Sequence, residues 1–397
     1  MPTLPPSARR LLAGLILGGA LLLSGAPAAA MATAAAPAAG DGPAAAAKGY
    51  LEARAAAVTA ADPAATLSFW VLPRSPLARR QVLLAQGAAR RHSDLGHLID
   101  AVRCDVRLRS VIVDPDGASA RVRAYAIVTT RWHSAEGVNE TEASGLEHDL
   151  TLRRGAAGWY VVADRCTDTQ APALLEAAGA GPARVTAASS ALERAASGRR
   201  PATPSVVEPG LETTDTATIL PALRAIYPEV IYYDRAAAVT YADRYALSYN
   251  STYIRFSADC CNYASQCAKA GKMPEIFVDP QWWYDKNGTS SPSDDRWSAS
   301  WPSCSRQITA WAGRRIGWVT SVSLIGKGDF IYYDWTANGS WDHVAVCVGT
   351  NSLGQKIVDA HTTDHYHVYW KLGTSSTKYK FARVYTCLLY TSDAADE

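Results

Sequence analysis

Two residues of this 397-residue chain have the types and setting for nucleophilic chemistry: Cys260 and His343. The run Asp259-Cys260-Cys261-Asn262-Tyr263-Ala264-Ser265-Gln266-Cys267-Ala268-Lys269-Ala270-Gly271 is helix-compatible, and Gly271 is a natural C′ stop. Cys260 then falls in the first turn of a helix, where backbone N–H groups lack partners and the dipole favours negative charge. Such a position can lower a thiol pKa from about 8.5 into the range of about 3.5–7.5. Only the thiolate attacks a carbonyl well, and the same N–H groups can later receive the oxyanion. The base is supplied by Trp341-Asp342-His343-Val344-Ala345-Val346-Cys347-Val348-Gly349, a β-like apolar run with His343 at its entry.

The elements that must position this pair can also be read from pattern. Gly328 to Trp335 forms one strand, Asn338-Gly339 a hairpin turn, and the His343 run the return strand. A third strand, Lys356 to Ala360, ends at His361-Thr362-Thr363-Asp364, where a polar group can orient the histidine as in a catalytic triad. Upstream, Tyr241, Tyr245 and Tyr249 recur every four residues on one helical face, with Asp234 as N-cap and Asn250 as stop.

Taken in order, YDRAAAVTYADRYALSYN, DCCNYASQCAKAG, QWWY, GDFIYYDW, DHVAV and AHTTD resemble the "Putative amidase domain" family of bacterial exported proteins. The likeness covers Tyr232 to Tyr385 and implies a papain-like fold related to the CHAP and NlpC-type cell-wall hydrolases. It maps the nucleophile onto Cys260, between Asp259 and Asn262, and the base onto His343. His361 fits the orienting role, with Asp364 second. Asp259, Asn262 and Trp282 are the expected substrate-binding residues. Cys261 stands where the family usually has Thr, and Cys304 is an addition; a disulfide between them would leave Cys260 free.

Each residue has a plainer reading. Cys260 could be a buried structural thiol. His361, His365, His367 and Asp364 could form a metal cluster, but no cysteine ligands stand nearby at zinc spacing, so no metal is expected. Trp282, Trp283 and Tyr284 could line a glycan-stacking groove or simply pack the domain.

The rest of the chain frames this region. Residues 1–30 read as a signal peptide: Arg9 and Arg10, an apolar run from Leu11 to Leu23, then small residues at Ala28 and Ala30. Residues 31–47 are an Ala/Pro-rich linker. Residues 48–168 form an α+β accessory domain with a cone-like order, helices first and antiparallel strands after, similar to the nuclear transport factor 2 fold. Cys104 and Cys166 bracket its strands and suit a disulfide. Residues 169–226, rich in Ala, Thr, Pro, Ser and Gly, form a second linker that lets the domains move. The amidase domain occupies 227–386 and holds nine of the 12 tryptophans. Cys387 to Glu397, CLLYTSDAADE, back-translates onto a sequencing-library adapter and reads as adapter read-through.

The net charge of +2 falls to zero once Arg9 and Arg10 leave with the signal, which argues against nucleic acid as a partner. The expectation is an α+β protein, monomeric and extracytoplasmic at the cell envelope, without stable membrane insertion after signal cleavage. It would be a hydrolase needing no cofactor, acting on peptidoglycan or an extracellular peptide or amide. A non-catalytic wall-binding module that keeps the fold is the alternative.

Overall fold

The computed structural model describes residues 42–181, 183–188, 230–385 and 387–389. The signal peptide, the linker residues 31–41, 182 and 189–226, the amidase-domain residues 227–229 and 386, and residues 390–397 of the expected adapter read-through lie outside the described residues. No described helix is long and apolar enough to cross a membrane.

The chain is α+β: helices packed on antiparallel sheet. Its first helix, α1 (Pro43–Ala56), begins inside the expected linker. Proline is pre-organised for a first helical position, and the alanines that follow are strong helix formers. Ala46, Ala47, Tyr50 and Leu51 are buried, which holds those turns in place. A short α2 (Pro63–Leu67) and α3 (Pro76–Asp94) follow. Each starts with a proline behind a capping side chain: Asp62 Oδ1 accepts from Ala64 and Ala65 N–H, and Ser75 Oγ from Ala78 N–H. Four antiparallel strands come next, β1 (Leu98–Val113), β2 (Ser119–His133), β3 (Asn139–Gly155) and β4 (Gly158–Arg165). They pack α1 and α3 over Val122, Ala124, Leu150 and Leu152. Helix α4 (Ala171–Ala177) lies against α3 through Ala171, Leu175 and Leu84, so the expected second linker starts as folded structure.

The second half contributes β5 (Val230–Tyr232), α5 (Arg235–Tyr245), α6 (Cys260–Ala270), β6 (Tyr284–Asp285), β7 (Arg296–Trp297), α7 (Cys304–Trp311) and β8 (Ile316–Val319). Then come β9 (Phe330–Asp334), β10 (His343–Thr350), β11 (Lys356–Ala360), β12 (Asp364–Tyr369), β13 (Lys378–Val384) and β14 (Cys387–Leu389). Strand β14 pairs with β5. Asp234 caps α5 as expected, its Oδ1 accepting from Ala237 N–H at 2.9 Å, but the helix ends at Tyr245 and not at Asn250. Strand β9 and all but the last residue of β10 are buried on both faces, which explains their nearly unbroken apolar runs. One face packs Phe330, Tyr332, Val344 and Val346 against α5, α6 and α7. The other gathers Ile331, Tyr333, Ala345, Cys347 and Val368.

A single antiparallel sheet passes through both halves, in the order β1-β2-β3-β12-β11-β10-β9-β13-β8, with β4 also on β3. At the seam, Asp364, His365 and Tyr366 pair with Gly145, Ser144 and Ala143. Two edges that would expose unpaired N–H and C=O groups thereby satisfy each other. Side chains reinforce the join. Tyr125 Oη donates to Asp364 Oδ2 at 2.6 Å, Ser144 Oγ meets His365 Nδ1 at 3.0 Å, and Thr169 Oγ1 meets His365 Nε2 at 2.9 Å. The two units that the linker joins share backbone hydrogen bonds at this seam.

Candidate active site

Helix α6 carries the expected nucleophile in its first turn, and every residue from Cys260 to Ala268 is buried. Asp259 occupies the N-cap without capping the helix. Its Oδ1 accepts from Phe256 N–H at 2.8 Å and Asn262 Nδ2 at 2.9 Å, and its Oδ2 pairs with His361 Nδ1 at 2.7 Å. His361 Nε2 faces the Tyr245 carbonyl at 2.8 Å. Both ring nitrogens face oxygens that can accept, an arrangement that favours the doubly protonated imidazolium. Burial alone would lower its pKa; Asp259 and Asp364 outweigh that and hold it above the usual value. The ring also stacks on Tyr263, with centroids 4.0 Å apart.

The cap that Asp259 does not supply comes from Thr362, directly after His361. Its Oγ1 accepts from the N–H of Asp259 at 3.1 Å and of Cys260 at 3.3 Å. Thr362 has φ 87°, an unfavourable setting for a β-branched residue that the surrounding contacts impose.

The Cys260 thiol is 3% exposed. Its Sγ lies 3.8 Å from Cys304 Sγ, at the head of α7, and 4.0 Å from the Asp342 carbonyl. The Cys304 contact, then burial, push the Cys260 thiol well up, while His343 acts on it in the opposite direction by charge and hydrogen bonding. The second thiol and desolvation thus disfavour the thiolate, and the imidazole favours it. His343, 1% exposed, packs near Tyr333 and Trp335 with centroids 5.3 Å from each. Its Nε2 is buried and has no hydrogen-bond partner.

Of the sequence-derived residues, Cys260 and His343 are thus brought together. His361 is not at His343; it serves the helix head through Asp259. Asp364, the second choice of orienter, instead accepts from Tyr125 and Tyr249 hydroxyls. Asn262 is buried, its Nδ2 donating to Ile254 O and Asp259 Oδ1 and its Oδ1 accepting from Trp301 Nε1 at 2.8 Å. Trp282 is fully buried, donates from Nε1 to Ser265 Oγ at 3.0 Å, and cannot line a groove in this arrangement. Asp259, Asn262 and Trp282 hold the helix head and core and offer no free face to a substrate. Neither expected disulfide forms: Cys104, Cys166, Cys261 and Cys304 are all free thiols, and Cys304 lies against Cys260 as well as Cys261. Thr362 was missed because nothing in AHTTD separates a helix-capping threonine from its neighbour.

Residues 232–384 match the family model described as "Putative amidase domain". The chain is 29% identical over 174 residues to YhbB of Bacillus subtilis (strain 168), covering 41% of this chain and 53% of that protein. It is 28% identical over 145 residues to YjcM of the same organism, covering 34% and 32%. The chain thus spans about half and about a third of the length of these relatives. The intermembrane space region of chloroplast protein ARC6 aligns with 30% of this chain and 90% of its own at 15% identity, with a TM-score of 0.23. The segment matched by that family model, residues 232–384, is the one that carries Cys260 and His343.

Proposed function

We propose that the protein is an exported, monomeric, papain-like cysteine amidase acting on amide bonds of cell-wall peptidoglycan. The observation that carries this reading is the Cys260 thiol at the head of α6, 4.0 Å from the carbonyl of Asp342, the residue before His343, inside the segment that matches the amidase family model. His343 takes the thiol proton, and Cys260 Sγ bonds to the amide carbon. The resulting oxyanion accepts from the Cys260 N–H now bonded to Thr362 Oγ1, so Thr362 must turn aside. The C–N bond then breaks as His343 returns the proton to the leaving amine. Water, activated by the same imidazole, hydrolyses the thioester and releases the carboxylic acid. The signal-like residues 1–30 support export, and the substrate rests on analogy with cell-envelope relatives.

The test is digestion of purified peptidoglycan by wild type beside Cys260→Ser, with fragments identified by mass. New amine and carboxyl ends are expected from wild type alone; identical fragment profiles would reject the wall-hydrolase reading. A second reading, a wall-binding module without catalysis, is favoured by the covered thiol and the unpartnered His343 Nε2. It expects equal wall binding by both proteins and no cleavage by either.

A further inference from the structure

Apart from Cys260 and His343, Asp243 of α5, Asp359 of β11 and His367 of β12 gather with one ligand atom each, all within 4.8 Å of one another. His367 Nε2 stands 2.8 Å from Asp243 Oδ1. Donors about 2.1 Å from a single ion stand about 3–3.5 Å apart, so this edge already has nearly the spacing of two ligands on one metal. Asp359 is 0% exposed. Its Oδ1 accepts from His367 N–H at 2.7 Å, but its Oδ2 is buried and receives no hydrogen bond. A buried carboxyl oxygen without a donor, beside a second carboxylate, calls for a positive centre there, a metal ion or a shared proton. The imidazole is held for the task. His367 has φ 55°, and its ring stacks on Tyr366 with centroids 3.9 Å apart. Asp243 and His367 keep side-chain exposures of 38% and 28%, which leaves a route from solvent and room for water ligands.

We propose that Asp243, Asp359 and His367 form a binding site for a divalent transition-metal ion of the zinc class. Two carboxylate oxygens and one imidazole nitrogen, completed by water, are a donor set that zinc and its first-row neighbours accept and that calcium, which prefers oxygen alone, does not. The ion ties α5 to β11 and β12, and β11 leads two residues later into His361. The site is independent of the amidase reading and stands if that reading fails.

Titration of the full chain with Zn2+ by calorimetry, and with Co2+ by absorption, tests the site. One ion per chain is expected, with cobalt showing d–d bands but no thiolate charge-transfer band, which separates this site from the cysteines. Asp243→Asn, a change at a side chain 38% exposed, should leave the circular dichroism spectrum unchanged and weaken binding at least tenfold. Asp359→Asn should do the same. Binding unchanged in both variants, or cobalt bound through sulfur, would overturn the proposal. So would a wild-type chain that binds no metal and melts at the same temperature with and without Zn2+, the behaviour of a proton shared between the carboxylates.

Discussion

At the scale of single residues, the candidate nucleophile is governed by its neighbours as much as by its helix. Cys304 presses the Cys260 thiol toward its neutral form, while His343 draws it toward the thiolate. Replacing Cys304 with Ala removes the larger opposing influence. Alkylation of Cys260 by iodoacetamide at pH 7, followed by mass spectrometry, should then proceed several-fold faster, with its pH midpoint moved down. An unchanged rate would show that Cys304 does not control the thiol. Asp259 poses a different case, because it is one half of a buried ion pair with His361, each side chain 2% exposed. Removing one charge strands the other, so Asp259→Asn should cost about 3–5 kcal/mol in urea unfolding. A loss below about 1 kcal/mol would mean the pair is not an ion pair.

At the scale of elements, Trp282 separates two roles that its sequence could not. QWWY suits a stacking groove or a core equally well, since an indole serves either. The structure seats Trp282 against Trp301 and Trp311, with centroids 5.2 and 5.1 Å away, and leaves Trp283 half-buried. Trp282→Ala should therefore cost about 3–5 kcal/mol, while Trp283→Ala should stay within about 0.5 kcal/mol. Equal effects on stability would contradict that placement. The same contrast shows what sequence could reveal. Helix α6, the pairing of β9 with β10 and the cap of α5 were legible because local rules govern them: Gly271 stops and Asp234 caps, while Asn338-Gly339 lies within the longer connection from Asp334 to His343. The partners of His361 were not legible. Asp259 lies 102 residues away, and strand position alone could not tell a histidine that orients His343 from one that braces the helix head. The β3–β12 seam was hidden for the same reason, since edge pairing between distant strands leaves no periodic signal.

At the scale of the whole molecule, the seam should be sensitive to acid. A chain of side chains crosses it from α3: His92 Nδ1 meets His97 Nδ1 at 3.2 Å, and His97 Nε2 meets Gln355 Oε1 at 2.9 Å, between β10 and β11. Gln355 Nε2 donates back to Leu95 O at 2.9 Å. One of the two facing ring nitrogens must be unprotonated for their bond to exist. Burial, followed by the Arg91 charge, pushes His92 down to about 4, even though Glu142 lies 3.4 Å from its Nε2. The folded chain thus binds this proton more weakly than the unfolded chain, whose histidine titrates near 6.5. The stabilisation is complete above pH 6.5 and is lost as the pH falls from about 6.5 toward about 4, by up to about 3 kcal/mol. Melting temperatures of wild type and His92→Gln between pH 7.5 and 4.5 isolate this contribution from that of the carboxylates. The wild-type curve should fall more steeply below pH 6.5. Parallel curves would remove His92 as a source of acid sensitivity and leave the seam resting on its β pairing and on the Tyr125–Asp364, Ser144–His365 and Thr169–His365 bonds.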